Sequence, residues 1–127
     1  MGEMKVQGHF NQAKGFVHIN LALISFKEND VTIIYSPALD LSGYGNTVDE
    51  AKRSFEINLE EFIRYTTNKG SFFAELEKHG WKISKRKKSY ASPHLDDLLR
   101  TNDYLSDIIR DKEFQRYNQN VRLPAYG

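Results

Sequence analysis

The stretch from Thr47 to Thr67, TVDEAKRSFEINLEEFIRYTT, decides the fold of this chain. Its apolar residues recur at spacings of three and four, which is the period of a helix with one buried face. These residues are Val48, Ala51, Phe55, Leu59, Phe62 and Ile63. Ile57 lies off this stripe, either as an isolated surface residue or as part of an interface. A helix this amphipathic needs a covering surface, so we expect it to pack on a sheet.

Both ends of the predicted helix carry recognisable signals. Thr47 followed by Glu50 is a capping box, in which the hydroxyl accepts from an early helical N–H and the carboxylate reaches back. Asp49 and Glu50 also lie where the helix dipole favours anions. Gly70 follows the last periodic residues and can adopt the left-handed conformation that often ends a helix.

The segments before the helix read as strands. Residues 16–27 alternate apolar and polar side chains until the pattern blurs at Ile24, and residues 31–35 form a second β-branched run. The polar residues 28–30 between them predict a hairpin. Residues 38–46 then read as a short strand or bulged segment that leads into the helix. The predicted core comprises Val17, Ile19, Leu21, Ile33, Tyr35, Val48, Phe55, Leu59 and Phe62.

The segments after the helix complete the predicted architecture. Residues 71–80 have the pattern of a shorter helix, and residues 81–84 alternate like a last strand. We therefore predict an α+β fold, a small antiparallel sheet of order β-β-β-α-α-β with one long helix on one face, plus a C-terminal helical and extended appendage.

The composition of the sequence changes near residue 85, where a basic run begins. We predict an α+β domain over residues 1–84, followed over residues 85–127 by a basic linker, a helical segment and an extended tail. Leu95, Leu98 and Leu99 form one helical stripe of this second part. A further stripe begins near Asn102 with Leu105, Ile108 and Ile109. Residues 94–127 hold too little apolar material to fold alone, so we expect them to pack on the first domain or on another subunit.

The composition narrows the possible functions. The 127 residues include 18 basic and 17 acidic side chains, and the net charge of +1 gives no global attraction to nucleic acid or anionic membrane. The chain has no cysteine, which excludes disulfides and favours a reducing, cytoplasmic setting. We find no apolar run long enough to span a membrane and no secretion signal at the N-terminus.

The sequence shows no catalytic pattern. None of the four histidines (His9, His18, His79 and His94) lies at metal-ligand spacing, so we expect structural or surface roles for them. No GxSxG nucleophile elbow is present. Gly43-Tyr44-Gly45 resembles part of a phosphate loop but lacks the following Lys-Ser/Thr pair, and a tight strand-to-helix turn explains it better. Asp40 is the one strand-region acid that a degenerate nuclease-like site could use. We predict a non-enzymatic protein with no metal and no cofactor.

One basic cluster is a candidate nucleic-acid site. It consists of Lys82, Lys85, Arg86, Lys87 and Lys88. Such a patch can contact phosphates, with Trp81 and Tyr90 nearby to stack on bases. The alternative is a solvated exit from a strand, where lysines discourage pairing between sheet edges.

Residues 35–40 read YSPALD, the end of a strand with a Pro-x-Leu step, and residues 43–51 read GYGNTVDEA, a glycine-containing strand that leads into a capped helix. In these two runs the chain resembles the HicB-like antitoxins. That family shows a strand ending in a Pro-x-Leu step, a short glycine-containing strand and a Gly-(Asp/Asn)-Thr-x-x-Glu-Ala helix start. This chain has Pro37-Ala38-Leu39 and Gly45-Asn46-Thr47-Val48-Asp49-Glu50-Ala51 at those steps. The matching motif residues are Pro37, Leu39, Gly43, Gly45, Thr47, Glu50 and Ala51. With the order of elements included, the resemblance extends over residues 16–84.

The resemblance implies a non-enzymatic role. A HicB-like antitoxin binds and masks a small HicA-like RNA-cleaving toxin, and we expect this chain to form a homo-oligomer as well. Antitoxins of this kind often carry a C-terminal helix-turn-helix or ribbon-helix-helix that binds operator DNA. Residues 94–127 match neither of these two types. The alternative function is a nucleic-acid-binding module, for RNA or operator DNA, that uses the basic cluster at residues 82–88.

Overall fold

The computed structural model describes residues 16–84, 86 and 89–124. The helices and strands follow in the order β1 (Phe16–Glu28), β2 (Val31–Ser36), β3 (Leu41–Gly45), α1 (Val48–Asn68), α2 (Phe72–Lys78), β4 (Lys82–Ser84), β5 (Ser89–Ala91), α3 (Leu95–Thr101), α4 (Asp103–Asp111) and β6 (Phe114–Pro124). None of the helices in the described ranges combines the length and the apolar character needed to cross a membrane.

The main sheet has four antiparallel strands in the order β3-β2-β1-β6. This sheet and the long helix α1 that follows its first three strands confirm the predicted α+β class. The hairpin between β1 and β2 is also confirmed, because Glu28 pairs with Val31 around a two-residue turn. Asn29 and Asp30 in that turn have φ values of 51° and 68°, which suits a hairpin turn that twists with its strands.

The fourth strand of the sheet is β6, and the expectation that residues 81–84 would fill this place is wrong. β6 pairs with β1 from Phe16↔Pro124 to Phe26↔Phe114. β4 has only three residues and pairs with β5 in a separate two-stranded sheet. The longer strand offers many more ladder hydrogen bonds to the open edge of β1. The sheet therefore joins the two predicted parts of the chain, 1–84 and 85–127.

Helix α1 covers one face of the sheet with its apolar stripe. Ala51, Phe55, Leu59 and Ile63 are fully buried against β1, β2 and β6 side chains, as the spacing predicts. The prediction that Val48 belongs to the core is wrong, because its side chain is 45% exposed. As the first residue of α1, it lies at the rim of an open groove at the end of the sheet.

Helices α3 and α4 cover part of the opposite face. Leu105 and Ile108 of α4, with partly buried leucines of α3 beside them, cover the side chains of β1 and β2 that point away from α1, namely Ile24, Phe26, Ile33 and Tyr35. This second covered face explains why the alternation of β1 blurs at Ile24, since apolar residues are needed on both sides from that point.

The remaining predicted core residues differ in how deeply they are buried and in the face of the sheet on which they lie. Leu21 is buried under α1, whereas Ile33 and Tyr35 are buried under α3 and α4. Those that are only partly buried are Val17, Ile19 and Phe62. Asn102, near which the second helical stripe was predicted to begin, caps α4, because its Oδ1 accepts from the Leu105 N–H at 3.0 Å.

Candidate functional site

The turn from β2 to β3 contains the first motif residues. Residues 37–40 form this turn, in which Pro37 and Leu39 are buried and the Leu39 N–H donates to Ser36 Oγ at 3.3 Å. Asp40 closes the turn with a φ of 54°. The buried Trp81 also stabilises the turn, because its Nε1–H donates to the Ala38 carbonyl oxygen at 2.7 Å.

The glycines of β3 serve close packing against α1. A Cβ on Gly43 would lie 2.2 Å from the Phe55 backbone nitrogen, and one on Gly45 would lie 2.6 Å from that of Ala51. Neither glycine has a positive φ. These two positions require the absence of a side chain, and the predicted tight strand-to-helix turn follows them directly, since only residues 46–47 separate β3 from α1.

The start of α1 is capped much as the capping box predicts. Thr47 is extended, and its Oγ1 accepts from the Glu50 N–H at 3.1 Å. The Glu50 carboxylate reaches back to the Asn46 N–H at 2.9 Å, one residue before the expected partner. Ala51 then faces the sheet with no exposed surface. The motif residues thus form one continuous unit of turn, strand and helix start.

A hydrogen-bonded chain links this unit to the α3–α4 layer. The Tyr35 hydroxyl donates to Asp40 Oδ1 at 2.7 Å and accepts from Asn102 Nδ2 at 2.8 Å. Burial raises the pKa of the Tyr35 phenol above its ordinary value, and the hydrogen bond to Asp40 raises it further. A neutral phenol held between two partners is a structural link here. It is not poised to act as a base or nucleophile.

This link lies beside an open cleft of about 660 Å³. The walls come from the β2–β3 turn, the end of α2 and the α3–α4 junction. The lining residues are Pro37, Asp40, Lys78, His79, Gly80, Pro93, Asp97, Leu98, Thr101, Asn102, Asp103 and Tyr104. His79 Nδ1 lies 2.8 Å from the Glu75 carbonyl oxygen, which makes it a donor to that carbonyl. No three His, Asp or Glu side chains in the described ranges come together as a metal site.

An acidic tyrosine surface borders the cleft on the side of β3. We define it as Glu28, Asp40, Tyr44, Asp103 and Tyr104. Tyr44 is 55% exposed and Tyr104 is 41% exposed. Burial raises the pKa of Tyr104, and the nearby Tyr44, Glu28 and Asp40 groups raise it further, so these groups lie within electrostatic reach of one another. No local pattern in the sequence predicts this surface, because its members come from four separate segments.

Tyr104 is held in place by other rings. Its ring packs edge-on against Tyr35 at a centroid distance of 4.9 Å and against Phe26 at 6.4 Å. Large aromatic side chains fixed in this way lose little conformational entropy when they bind, and Tyr is enriched at protein interfaces. The acidic tyrosine surface therefore has the chemistry of a protein-binding site for a basic partner.

The basic cluster lies on a different part of the molecule. Lys82 and Arg86 are exposed on the β4–β5 hairpin, whereas Lys85, Lys87 and Lys88 lie outside the described residues. The idea that Trp81 and Tyr90 stack on bases is not supported. Trp81 is buried, and Tyr90 stacks on Phe73 while its hydroxyl donates to the Pro124 carbonyl oxygen. Packing within the fold uses both rings.

The histidines are spread over the molecule. His18 Nδ1 lies 3.3 Å from Asn120 Oδ1 on the neighbouring strand, and His94 precedes α3 on the surface. His9 lies outside the described residues. Comparisons of this chain with family models, with curated proteins and with solved structures find no match.

Proposed function

We propose that this chain is a non-enzymatic, HicB-like antitoxin-type protein that binds and masks a small HicA-like RNA-cleaving toxin. The observation that carries the proposal is the unit formed by residues 37–51. Every motif residue on which the resemblance rests has a physical role there: a buried turn, two glycines against the helix, a cap and a buried alanine. The proposed setting is the cytoplasm.

The acidic tyrosine surface supports a partner of this chemistry. A protein that cleaves RNA needs a basic surface to hold the phosphate backbone. Carboxylates at Glu28, Asp40 and Asp103 complement such a surface, and Tyr44 and Tyr104 offer the aromatic anchors that dominate binding energy at many interfaces. Covering the basic surface of the partner would also block its access to RNA, which is the masking that the proposal requires.

Helices α3 and α4 add to this negative character. Their acidic residues are Asp96, Asp97, Asp103, Asp107 and Asp111, against only two arginines. Arg100 contacts Asp97, and Arg110 binds Asp107 at 2.6 Å, so both arginines are already paired with neighbouring carboxylates. The layer therefore remains net negative beside the cleft, which favours the approach of a basic protein.

The test begins with the gene beside the one for this chain: we expect it to encode a small basic protein, which is then co-expressed with this chain. We expect the neighbouring protein alone to cleave RNA and arrest growth, and co-expression to restore growth and yield a stable complex. A neighbouring protein that neither harms cells nor binds this chain would contradict the proposal.

A pair of tyrosine variants locates the contact. Tyr44→Ala removes an anchor of the acidic tyrosine surface, and we expect the complex to weaken about tenfold or more. Tyr65→Ala is the matched control, because Tyr65 is similarly exposed at 59% but lies on α1. Equal effects of the two changes would reject this surface as the binding site.

A second candidate function is nucleic-acid binding through the hairpin. The favouring observation is that the exposed Lys82 and Arg86 lie on a hairpin tied to the end of β6 by Tyr90, and β6 itself has no carboxylate. Binding through phosphates should weaken steeply with salt, and each lost contact to single-stranded RNA should lower the salt slope by about 0.7. Titration of a labelled RNA with wild-type and Lys82→Ala protein at several salt concentrations tests this.

A further inference from the structure

The face of the main sheet that points away from α1 continues past the helical layer as a polar strip. Ile24 lies under that layer, and the alternation of a strand places Asn20 and Ala22 on the same face as Ile24. In the ladder with β6, Asn118 lies opposite Ala22. Arg116 lies opposite Ile24, and residues that are opposed in a ladder share a face. The side chains of Asn20, Arg116 and Asn118 are all exposed, and these three residues define the polar strip.

The polar strip forms one side of a pocket of about 300 Å³. The other side is the start of α3, where Leu95 and Leu98 are partly buried and His94 is exposed. This volume is at the lower end of the range of small-molecule sites, which usually combine apolar walls with a few polar groups. Pro37, Pro93 and Leu98 line both this pocket and the open cleft of about 660 Å³, so the two cavities share a wall.

The charge of this pocket differs from that of the cleft. Three aspartates and one lysine line the cleft, whereas no Asp or Glu of the described residues lines the pocket. Arg116 gives the pocket a positive charge, and no carboxylate within the described ranges pairs with it. An unpaired guanidinium in a pocket wall keeps its N–H donors for an anionic ligand. Other arginines of the chain are paired with a carboxylate of their own helix, namely Arg53, Arg64, Arg100 and Arg110.

Two amides complete the polar side of the pocket. Asn20 and Asn118 are diagonal neighbours on the sheet, because Asn118 lies opposite Ala22. Diagonal neighbours are about 7–8 Å apart, so both amides can contact one small molecule that lies between them. Neither side chain hydrogen-bonds to another of the described residues. An amide presents donors and an acceptor together, which matches the edge of a nucleobase.

We propose that this pocket binds a nucleoside monophosphate. The guanidinium of Arg116 holds the phosphate, since its planar fork matches phosphate oxygens. The amides of Asn20 and Asn118 bind the edge of the base, and the side chains of Leu95 and Leu98 contact its ring. Arg116 and Asn118 are two residues apart on one strand, so phosphate and base are held at neighbouring points, about 7 Å apart. This inference goes beyond toxin binding and does not rest on it.

Calorimetric titration of the full chain with the monophosphates of adenosine, guanosine, cytidine and uridine tests the proposal. We expect at least one of them to bind once per chain, with a dissociation constant below about 1 mM. Inorganic phosphate should bind at least about tenfold more weakly, because it lacks the base. Absence of binding by all four, or equally tight binding of inorganic phosphate, would overturn the proposal. A short single-stranded RNA that binds more tightly than every mononucleotide would overturn it in favour of an RNA surface.

Variants of the polar strip locate the ligand. Arg116→Gln should lower the affinity about tenfold to hundredfold, because it removes charge-assisted hydrogen bonds to the phosphate. Arg53→Gln is the matched control, because Arg53 is also exposed but lies on α1. Asn118→Ala should lower the affinity about threefold to tenfold through the loss of one amide. Circular dichroism checks that all three variants fold. Equal affinities of the Arg116→Gln and Arg53→Gln proteins would reject the pocket as the binding site.

Discussion

Gly43 lies so close to Phe55 that a Cβ atom on the glycine would come within 2.2 Å of the Phe55 backbone nitrogen. The neighbouring atoms are helix backbone, which cannot move aside without displacing α1 from the sheet. This contact fixes the spacing between β3 and α1. The same spacing lets Ser54 Oγ accept from the Tyr44 N–H at 3.0 Å and Asn58 Nδ2 donate to the Ser42 carbonyl oxygen at 2.7 Å.

Gly43→Ala should therefore destabilise the protein by about 3 kcal/mol or more, at the upper end of the costs seen for overpacked sites. Chemical denaturation followed by circular dichroism measures the change. Gly70→Ala is the control, because nothing lies within 4 Å of its added Cβ and only its φ of 71° opposes the change. A cost of about 1 kcal/mol is expected there. Similar costs at both sites would contradict the packing argument.

The orientation of α1 predicts opposite outcomes for two positions on the same helix. Phe55→Asp places a carboxylate in a fully buried site, and we expect the variant not to fold at neutral pH. Ile57→Asp changes a residue that is 46% exposed and should alter the free energy of unfolding by less than about 1 kcal/mol. Thermal melts of the two variants make the comparison. Unchanged melting of Phe55→Asp would refute the orientation.

Tyr35 should make stability depend on alkaline pH. Burial raises the pKa of its phenol in the folded protein. Above about pH 10, the ordinary pKa of tyrosine, the unfolded chain therefore loses this proton while the folded chain still keeps it. The free energy of unfolding should thus be unaffected below this range and fall as the pH rises above it. In Tyr35→Phe this fall should be shallower. Burial also raises the pKa values of Tyr90 and Tyr117, so part of the fall should remain.

The same variant should also be less stable at neutral pH. It loses the hydrogen bonds to Asp40 and from Asn102, which we expect to cost about 1–3 kcal/mol. Urea unfolding at pH 7 and at pH 11 separates the two effects, with the exposed Tyr65→Phe as the control. An alkaline slope identical to that of the natural chain would contradict the role of Tyr35.

Trp81, which lies between α2 and β4, should report on the contact of this segment with the β2–β3 turn. It is the single tryptophan, is buried, and donates to the Ala38 carbonyl oxygen. We expect blue-shifted fluorescence that moves to longer wavelength on unfolding. Trp81→Phe should cost about 1–3 kcal/mol, because it leaves the buried carbonyl without its donor. Emission like that of free tryptophan in the native protein would contradict the burial.

Local signals in the sequence were sufficient for α1 and for the first hairpin. The period of three and four places Phe55 and Leu59 on one face, and a two-residue polar turn at Asn29 and Asp30 suits a tight connection. Capping by Thr47 and by Asn102 is likewise local, because each bond joins residues three apart. Such features depend on neighbours along the chain, which the sequence displays directly.

The place of β6 depends on distant partners and could not be predicted in this way. Residues 113–120 read EFQRYNQN, a polar run without a clear strand pattern. They become a strand because the ladder with β1 satisfies their backbone groups. The two faces of β2 are a similar case, since Ile33 and Ile34 are adjacent and both buried, but under different helices. The acidic tyrosine surface also exists only once these segments are assembled.

The pairing of Phe16 with Pro124 places the two ends of the described chain at the same corner of the sheet. A pulling force applied between these two residues would act across the ladder and load only its outermost hydrogen bonds. The bonds between β1 and β6 would then break one pair after another, as in unzipping. We therefore expect mechanical extension from this corner to need little force and to release β6 before α1 loses its place on the other strands.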